Sequence, residues 1–232
     1  MSQRALRNRR VGAITVIVSA IIVAIFLSGD MWQPRAMAPA PAKNAVGVAA
    51  DLLKTIAVKG RAPKTGYART QFGDGWATIR GCDTRNIILN RDLKQAVASD
   101  GCKVDSGTLD DPYTGKTIVF KRGADTSADV QIDHVVALSD AWQKGAQQLP
   151  KERRQALAND PLELLAVDGP ANQAKGDGDA ATWLPPNKAF RCQYVARQIA
   201  VKSKYSLWVT RAEHDAIATI LSNCPGQSLP VA

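Results

Sequence analysis

Apolar residues recur in short runs bounded by turn-forming residues, a pattern typical of strands. Residues 102–109 and 117–122 show this pattern on either side of the segment DPYTGK, whose Pro and Gly favour a turn. Residues 130–138 predict a third strand, and the segment LELLAV predicts a fourth. Together with intervening helices, these strands predict an α+β fold with a small antiparallel sheet.

Apolar residues at helical spacing predict helices between these strands. Residues 46–58 form the first helix, and Asp83 is placed to cap a second helix that continues to Val97. A loop rich in Gly and aromatic residues, GYARTQFGDGW, separates the two. The helical pattern returns after Ser139 and again from Pro150, a residue type favoured at the first helical position.

The C-terminal part of the chain predicts two further helices, over residues 187–204 and 210–222. Thr210 and Glu213 have the spacing of a capping box at the start of the second of these helices. No internal repeat interrupts this order, so the folded part is expected to form a single domain.

The first 43 residues differ in composition from the rest of the chain. Four arginines precede residues 11–27, an uncharged apolar stretch that is long for a signal peptide and short for a spanning helix. We therefore interpret residues 1–27 as a signal peptide or an uncleaved membrane anchor and residues 28–43 as a Pro/Ala-rich linker. Residues 44–232 are then the folded domain, secreted or membrane-anchored outside the cytoplasm.

The four cysteines suit an exported protein. No pair has the CxxC spacing of a zinc ribbon or a redox motif, so two disulfides are expected. Three connectivities are open, and pairing of sequence neighbours, Cys82 with Cys102 and Cys192 with Cys224, is favoured because it closes the shorter loops.

The net charge of +9 comes partly from the N-terminal segment. Residues 1–43 hold six basic residues and one acidic residue, which leaves 24 basic and 20 acidic residues in the rest of the chain. The surplus of +4 that remains there permits phosphate binding without arguing strongly for it.

Two segments carry the candidate chemistry, QIDHVVAL and, further along, DGPANQAKGD. Asp133 and His134 are adjacent on a predicted strand, so their side chains should point to opposite faces. Mg²⁺ prefers oxygen ligands, which the Asp133 carboxylate and the Asn172 amide can supply. A neutral His134 could then take a proton from an attacking water.

This pattern resembles the HNH or ββα-metal endonucleases. The matching residues are Asp-His on a first strand, a second strand, and a helix that carries NxxKxD, here Asn172, Lys175 and Asp177. The resemblance extends to exported bacterial HNH proteins related to the C-terminal domain of GmrSD-type restriction enzymes and, more distantly, to the HNH domain of the RNA-guided CRISPR nuclease. It implies a ββα-metal element embedded in helices and a small antiparallel sheet.

The resemblance also implies the roles of the site residues. Asp133 and Asn172 are expected to bind one divalent metal, Mg²⁺ with Mn²⁺ as the alternative ion, and His134 is expected to be the general base. The central family position, normally an Asn that braces the loop below the metal, corresponds to Glu163, which puts the bracing in doubt. Lys175 is expected either to touch phosphate or to pair with Asp177.

Three functions fit these residues. The first is a metal-dependent endonuclease acting on nucleic acid, with DNA preferred over RNA by resemblance. The second is a non-catalytic extracytoplasmic binding module that retains the fold, and the third is a hydrolase of another phosphate ester. The N-terminal segment would contact a membrane if it is not cleaved, and no protein partner can be inferred.

The remaining candidate residues are expected to be structural. His214 is interpreted as a surface residue because it has no suitable ligand partner at helical spacing. Scattered basic residues are usually a solvated surface, and tryptophans usually pack in or near the core. These residues are Arg80, Arg85, Arg91, Lys121 and Arg122, and Trp76, Trp142, Trp183 and Trp208.

Overall fold

The computed structural model describes residues 48–230, which form a mixed α+β structure. Its helices are α1 (Ala49–Leu53), α2 (Thr84–Asp92), α3 (Leu138–Gln143), α4 (Lys151–Ala158), α5 (Gly169–Lys175), α6 (Arg191–Lys204) and α7 (Arg211–Ser222). Its strands are β1 (Thr78–Ile79), β2 (Cys82–Asp83), β3 (Lys94–Ala98), β4 (Val104–Asp110), β5 (Thr117–Lys121), β6 (Val130–His134) and β7 (Leu164–Asp168). Single 3-10 turns lie at Arg69–Phe72, Ala146–Gln148 and Lys188–Phe190.

The strands form three separate antiparallel sheets rather than the one small sheet expected. They are the pair β1–β2, the three-stranded sheet β3–β4–β5 and the pair β6–β7. Asp83 caps α2 as predicted, accepting a hydrogen bond from the backbone N–H of Asn86. The predicted continuation of this helix to Val97 is wrong, because the chain pairs with β4 instead. Gly107 in β4 permits this approach, since a Cβ there would lie 2.9 Å from the Cβ of Leu93.

Two other predicted boundaries also differ from the structure. The first helix ends at Leu53, where the sequence predicts a helix over residues 46–58. Strand β6 ends at His134, and Leu138 already begins α3, although both lie in the strand predicted over residues 130–138. The chain therefore turns immediately after the Asp-His pair, and both side chains lie at the end of a strand.

The C-terminal helices and the disulfides follow the sequence expectations. The 3-10 turn at Lys188–Phe190 precedes α6, and Thr210 and Glu213 form the predicted capping box at the start of α7. Cys82 is bonded to Cys102 and Cys192 to Cys224, which confirms the favoured connectivity. The second disulfide ties the first turn of α6 to the chain just beyond α7.

The β6–β7 pair is buried on both faces. Ile132 and Leu164 pack with α2 and β4 in one hydrophobic cluster. Leu165 and Val167 pack with α6 in another cluster on the opposite face. Burial on both faces fixes the end of β6 between two cores, so the side chains that it presents have little freedom to move.

No helix within residues 48–230 has the length and apolar character needed to cross a membrane. The predicted signal peptide or anchor, residues 1–27, the predicted linker, residues 28–43, and the predicted start of the domain at residue 44 lie outside the described residues. The division into residues 1–27, 28–43 and 44–232 therefore stays a prediction.

Candidate active site

The candidate site is built from a strand, a second strand and a helix, in the predicted order. Strands β6 and β7 pair antiparallel, and α5 follows β7 directly. Asp168 caps α5 by accepting a hydrogen bond from the backbone N–H of Ala171 at 2.7 Å. Gly169 is required at the first turn, because a Cβ there would lie 2.1 Å from the carbonyl oxygen of Ala128. Because Gly169 has no Cβ, α5 can lie close against the chain that leads into β6.

His134 is held in one orientation by two neighbours. Its Nε2 lies 3.0 Å from the carbonyl oxygen of Ala158, and its ring stacks on Trp76 with 5.6 Å between centroids and 6° between planes. A carbonyl oxygen only accepts hydrogen bonds, so Nε2 carries the proton and Nδ1 is the unprotonated nitrogen. Burial and the nearby Arg69 guanidinium lower the pKa of His134 to about 3, which keeps the ring neutral.

Asp133 points to the other side of β6, as the strand geometry predicts. Its Oδ1 accepts a hydrogen bond from Lys175 Nζ at 3.0 Å, and its Oδ2 accepts one from the hydroxyl of Tyr113 at 2.5 Å. Burial raises the pKa of Asp133, and Lys175 and Tyr113 oppose that shift. The carboxylate is therefore oriented at both oxygens before any substrate or ion arrives.

Asn172 lies on α5 and faces β6. Its Nδ2 donates to the side-chain oxygen of Gln131 at 2.9 Å, which fixes the orientation of the amide. Within residues 48–230 its Oδ1 accepts no hydrogen bond, so this oxygen remains able to accept. The cap of α5 is Asp168, so Asn172 does not serve as the helix cap.

Lys175 and Asp177 do not pair with each other, so the salt bridge weighed from the sequence is wrong. Lys175 is buried and donates to Asp133 Oδ1 and to the carbonyl oxygen of His134, the latter at 2.8 Å. Asp177 instead accepts from Ser139 Oγ at 3.1 Å and from Lys64 Nζ at 3.2 Å, and the bond from Lys64 lowers its pKa. Helix α5 ends at Lys175, and the chain turns at Gly176 with φ +55°, which directs the two side chains apart.

Glu163 supports the segment that follows His134. Its Oε2 accepts a hydrogen bond from the backbone N–H of Val136 at 3.1 Å, and its carbonyl oxygen accepts one from Val135 at 2.9 Å. The side chain is fully buried, and burial raises its pKa well above the ordinary value. Glu163 therefore makes two contacts to the loop that follows His134, although the sequence put this bracing in doubt.

Four of the six candidate residues share one cleft of about 320 Å³. Asp133, His134, Asn172 and Asp177 all line it. A carboxylate offers about four lone-pair sites, and Tyr113 and Lys175 occupy two of those on Asp133. The oxygens of Asp133 and Asn172 therefore fit a hard divalent cation that keeps several waters. Within residues 48–230 no three His, Cys, Asp or Glu side chains group as a metal site, so such a cation would need the Asn172 amide.

A comparison with protein families matches the part of the chain that contains the strands and the helix of this site. The family model described as "GmrSD restriction endonucleases, C-terminal domain" matches residues 83–220, more than half of the chain. The chain belongs to this family. The matched region runs from the cap of α2 into α7 and includes β6, β7 and α5, whereas Arg69 and Trp76 precede it.

The chain is also similar to a protein described as an uncharacterized secreted protein of Arthroderma benhamiae. The two are 38% identical over 194 residues, which cover 82% of this chain and 92% of the relative. No solved structure matches the chain. The relative is fungal, so the predicted likeness to bacterial HNH proteins stays a prediction, as does the HNH assignment itself.

Three of the arginines considered in the sequence analysis have backbone partners. Arg85 donates to the carbonyl oxygen of Val130, Arg91 to that of Leu164 and Arg122 to that of Val104. His214 is half-buried, lies 3.0 Å from Asp215 Oδ1 and does not line the cleft. These contacts agree with the structural interpretation of both groups.

Three residues at the site were not predicted from the sequence. Trp76, expected to be a packing residue, stacks on His134, Arg69 lines the cleft, and Tyr113 donates to Asp133. Trp76 and Arg69 belong to the Gly-rich and aromatic loop, whose composition was their one available signal. Nothing in the sequence indicates that this loop lies against β6.

Proposed function

We propose that this chain is a metal-dependent endonuclease of the HNH type that hydrolyses nucleic-acid phosphodiester bonds, DNA in preference to RNA. The observation that carries the proposal is the placement of His134 in one cleft with Asp133 and Asn172, with its Nε2 tied to a carbonyl oxygen and its Nδ1 left unprotonated. A general base needs such a fixed, unprotonated nitrogen. The family, named for restriction endonucleases, supports the same class of reaction.

Each site residue has a role in this reaction. Asp133 and Asn172 would hold a Mg²⁺ ion, or Mn²⁺ in its place, through a carboxylate and an amide oxygen. The bound ion supplies charge neutralisation for the phosphate and the leaving oxygen. His134 Nδ1 accepts a proton from the attacking water. Lys175 and Tyr113 hold the Asp133 carboxylate, whereas Glu163 and Ala158 hold the turn and the ring of His134.

We also propose that the protein acts outside the cytoplasm. Its fungal relative is described as secreted, the first 27 residues have the composition of an export signal, and all four cysteines are in disulfides. Disulfides form and persist in oxidising compartments. N-terminal sequencing of the exported protein distinguishes cleavage from membrane anchoring.

A three-substrate assay tests the proposed function. Full-length chain is incubated with supercoiled plasmid, single-stranded RNA or p-nitrophenyl phosphate, each with Mg²⁺ or with EDTA. We expect cleavage of plasmid, slower cleavage of RNA, and neither in EDTA. Plasmid binding without cleavage would favour a non-catalytic binding module, and turnover of the small ester alone would favour another phosphate-ester hydrolase.

Removing a proposed metal ligand should produce a defect that depends on the metal supplied. Asn172→Ala is expected to slow plasmid cleavage about 100-fold at low Mg²⁺, and higher Mg²⁺ or Mn²⁺ should recover part of the rate. Asp133→Ala should behave in the same way. The matched control is Gln173→Ala, which removes an exposed amide from the same helix. Equal cleavage rates for Asn172→Ala and Gln173→Ala at low Mg²⁺ would contradict the role of Asn172 as a metal ligand.

Glu163 should tolerate an isosteric neutral replacement but not truncation. Glu163 Oε2 accepts a hydrogen bond from the backbone N–H of Val136, and the amide oxygen of Gln can accept the same bond. The free energy of unfolding of Glu163→Gln should therefore lie within about 1 kcal/mol of the wild-type value. Glu163→Ala leaves a cavity and an unpaired backbone N–H of Val136, and its free energy of unfolding should be about 2–4 kcal/mol lower than that of wild type. Urea unfolding measures both values, and equal losses in the two variants would contradict the bracing role.

A further inference from the structure

We propose that Arg69 binds a phosphate of the substrate strand next to His134, an inference that rests on the proposed nuclease function. Arg69 begins the 3-10 turn Arg69–Phe72. It lines the 320 Å³ cleft that contains Asp133 and Asn172. It also lines a second cavity of about 230 Å³, where Trp76 and His134 form part of the wall. Arg69 thus lies where the two cavities meet, and His134 faces both.

The charge of Arg69 is unbalanced, unlike the charges of Arg61 and Lys64, which precede it in the chain. Arg61 pairs with Asp179 at 2.7 Å, and Lys64 pairs with Asp177 at 3.2 Å. Within residues 48–230, Arg69 has no carboxylate within salt-bridge distance, and its side chain is exposed. The loop therefore presents one free guanidinium at the candidate base, and its proximity is one reason for the low pKa of His134.

The charges inside the cleft do not satisfy this guanidinium. Asp133 is already paired with Lys175, and Asp177 with Lys64. A phosphodiester would supply the missing negative charge, and its two free oxygens match the planar fork of an arginine. A strand lying across His134 would bring a phosphate to Arg69 at the junction of the two cavities.

Binding of a fluorescein-labelled DNA duplex, measured by anisotropy in EDTA, tests this contact without requiring turnover. Full-length wild type is compared with Arg69→Gln and with Arg80→Gln, a control that removes an exposed arginine outside both cavities. We expect Arg69→Gln to raise Kd about tenfold and to make the slope of log affinity against log salt less negative by about one. Arg80→Gln should stay within about twofold of wild type, because an isolated exposed charge contributes little.

The outcomes separate this contact from the nuclease function. Equal affinities for Arg69→Gln and Arg80→Gln overturn the Arg69 assignment, even if wild type cleaves DNA. The expected loss of affinity supports it, even if wild type binds DNA without cleaving it. Absence of any DNA binding by wild type overturns both. Arg69→Lys keeps the positive charge but loses the planar guanidinium that can donate two hydrogen bonds to one phosphate. Its Kd should therefore fall between those of wild type and Arg69→Gln.

Discussion

His134→Ala is expected to slow plasmid cleavage by about 10²–10⁴-fold, the range typical of a lost general base. The loss should persist at every Mg²⁺ or Mn²⁺ concentration, since no metal ligand has been removed. This separates it from Asn172→Ala, whose defect extra metal should reduce. The rate of supercoil loss under single-turnover conditions is the measurement.

Folding has to be separated from chemistry in this experiment, because His134 is buried against Trp76. His134→Gln is the second variant, since its amide can still donate to the Ala158 carbonyl while offering no basic nitrogen. We expect it to melt close to wild type and to remain inactive. His214→Ala is the matched control and should cleave as fast as wild type. Undiminished cleavage by folded His134→Gln would falsify the role of the base.

Lys144→Met is expected to lower the free energy of unfolding by about 3–5 kcal/mol, the usual cost of leaving a buried charge unpaired. Lys144 Nζ lies 2.7 Å from Asp140 Oδ1, 2.7 Å from Asp179 Oδ2 and 2.6 Å from Glu213 Oε2. Lys202 and Arg61 complete the cluster, so three cations meet three carboxylates. Without Lys144, one buried carboxylate has no balancing charge.

This cluster also holds the elements around the cleft together. Asp140 lies in α3, which follows the Asp-His strand, and Asp179 lies just beyond the end of α5. Glu213 joins both to α7 and also forms its capping box. Lys144→Met should therefore reduce cleavage as well as stability, although Lys144 does not line the cleft.

Lys54→Met provides the matched control for this substitution. The Lys54–Asp51 pair has a similar distance, 2.7 Å, but its side chains are 74% and 69% exposed. An exposed pair contributes about 0–1 kcal/mol to stability, so the free energy of unfolding of Lys54→Met should be close to that of wild type. Guanidinium unfolding of the two variants measures the difference. Similar losses in the free energy of unfolding for Lys144→Met and Lys54→Met would contradict the claim that burial makes the Lys144 cluster important.

The sequence predicts those parts of the site that depend on neighbouring residues. The Asp-His strand, the second strand and the capping box of Thr210 and Glu213 lie where local patterns place them. The helix that carries Asn172 lies where the family resemblance places it. The disulfides also follow from proximity along the chain. Each of these features is set by periodicity, by a cap or by a short loop.

The features that sequence reasoning missed depend on contacts between distant segments. Lys175 contacts Asp133, which lies 42 positions earlier in the chain, and Trp76 stacks on His134, which lies 58 positions later. Neither contact has a period or a spacing that a single sequence reveals. In strand β3 a local pattern gave a wrong prediction. Its residues continue a helical pattern, but pairing with β4 overrides that pattern.

A Mg²⁺ titration of EDTA-treated protein tests the central claim, metal-dependent hydrolysis with His134 as base, most directly. Wild type and His134→Gln are stripped with EDTA, exchanged into metal-free buffer and supplied with supercoiled plasmid and rising Mg²⁺. The proposed mechanism predicts no nicking before addition, a saturable rise in the wild-type rate, and a rate for His134→Gln that stays about 10²–10⁴-fold lower throughout. Nicking by stripped wild type in EDTA, or equal rates for the two proteins at saturating Mg²⁺, would contradict it.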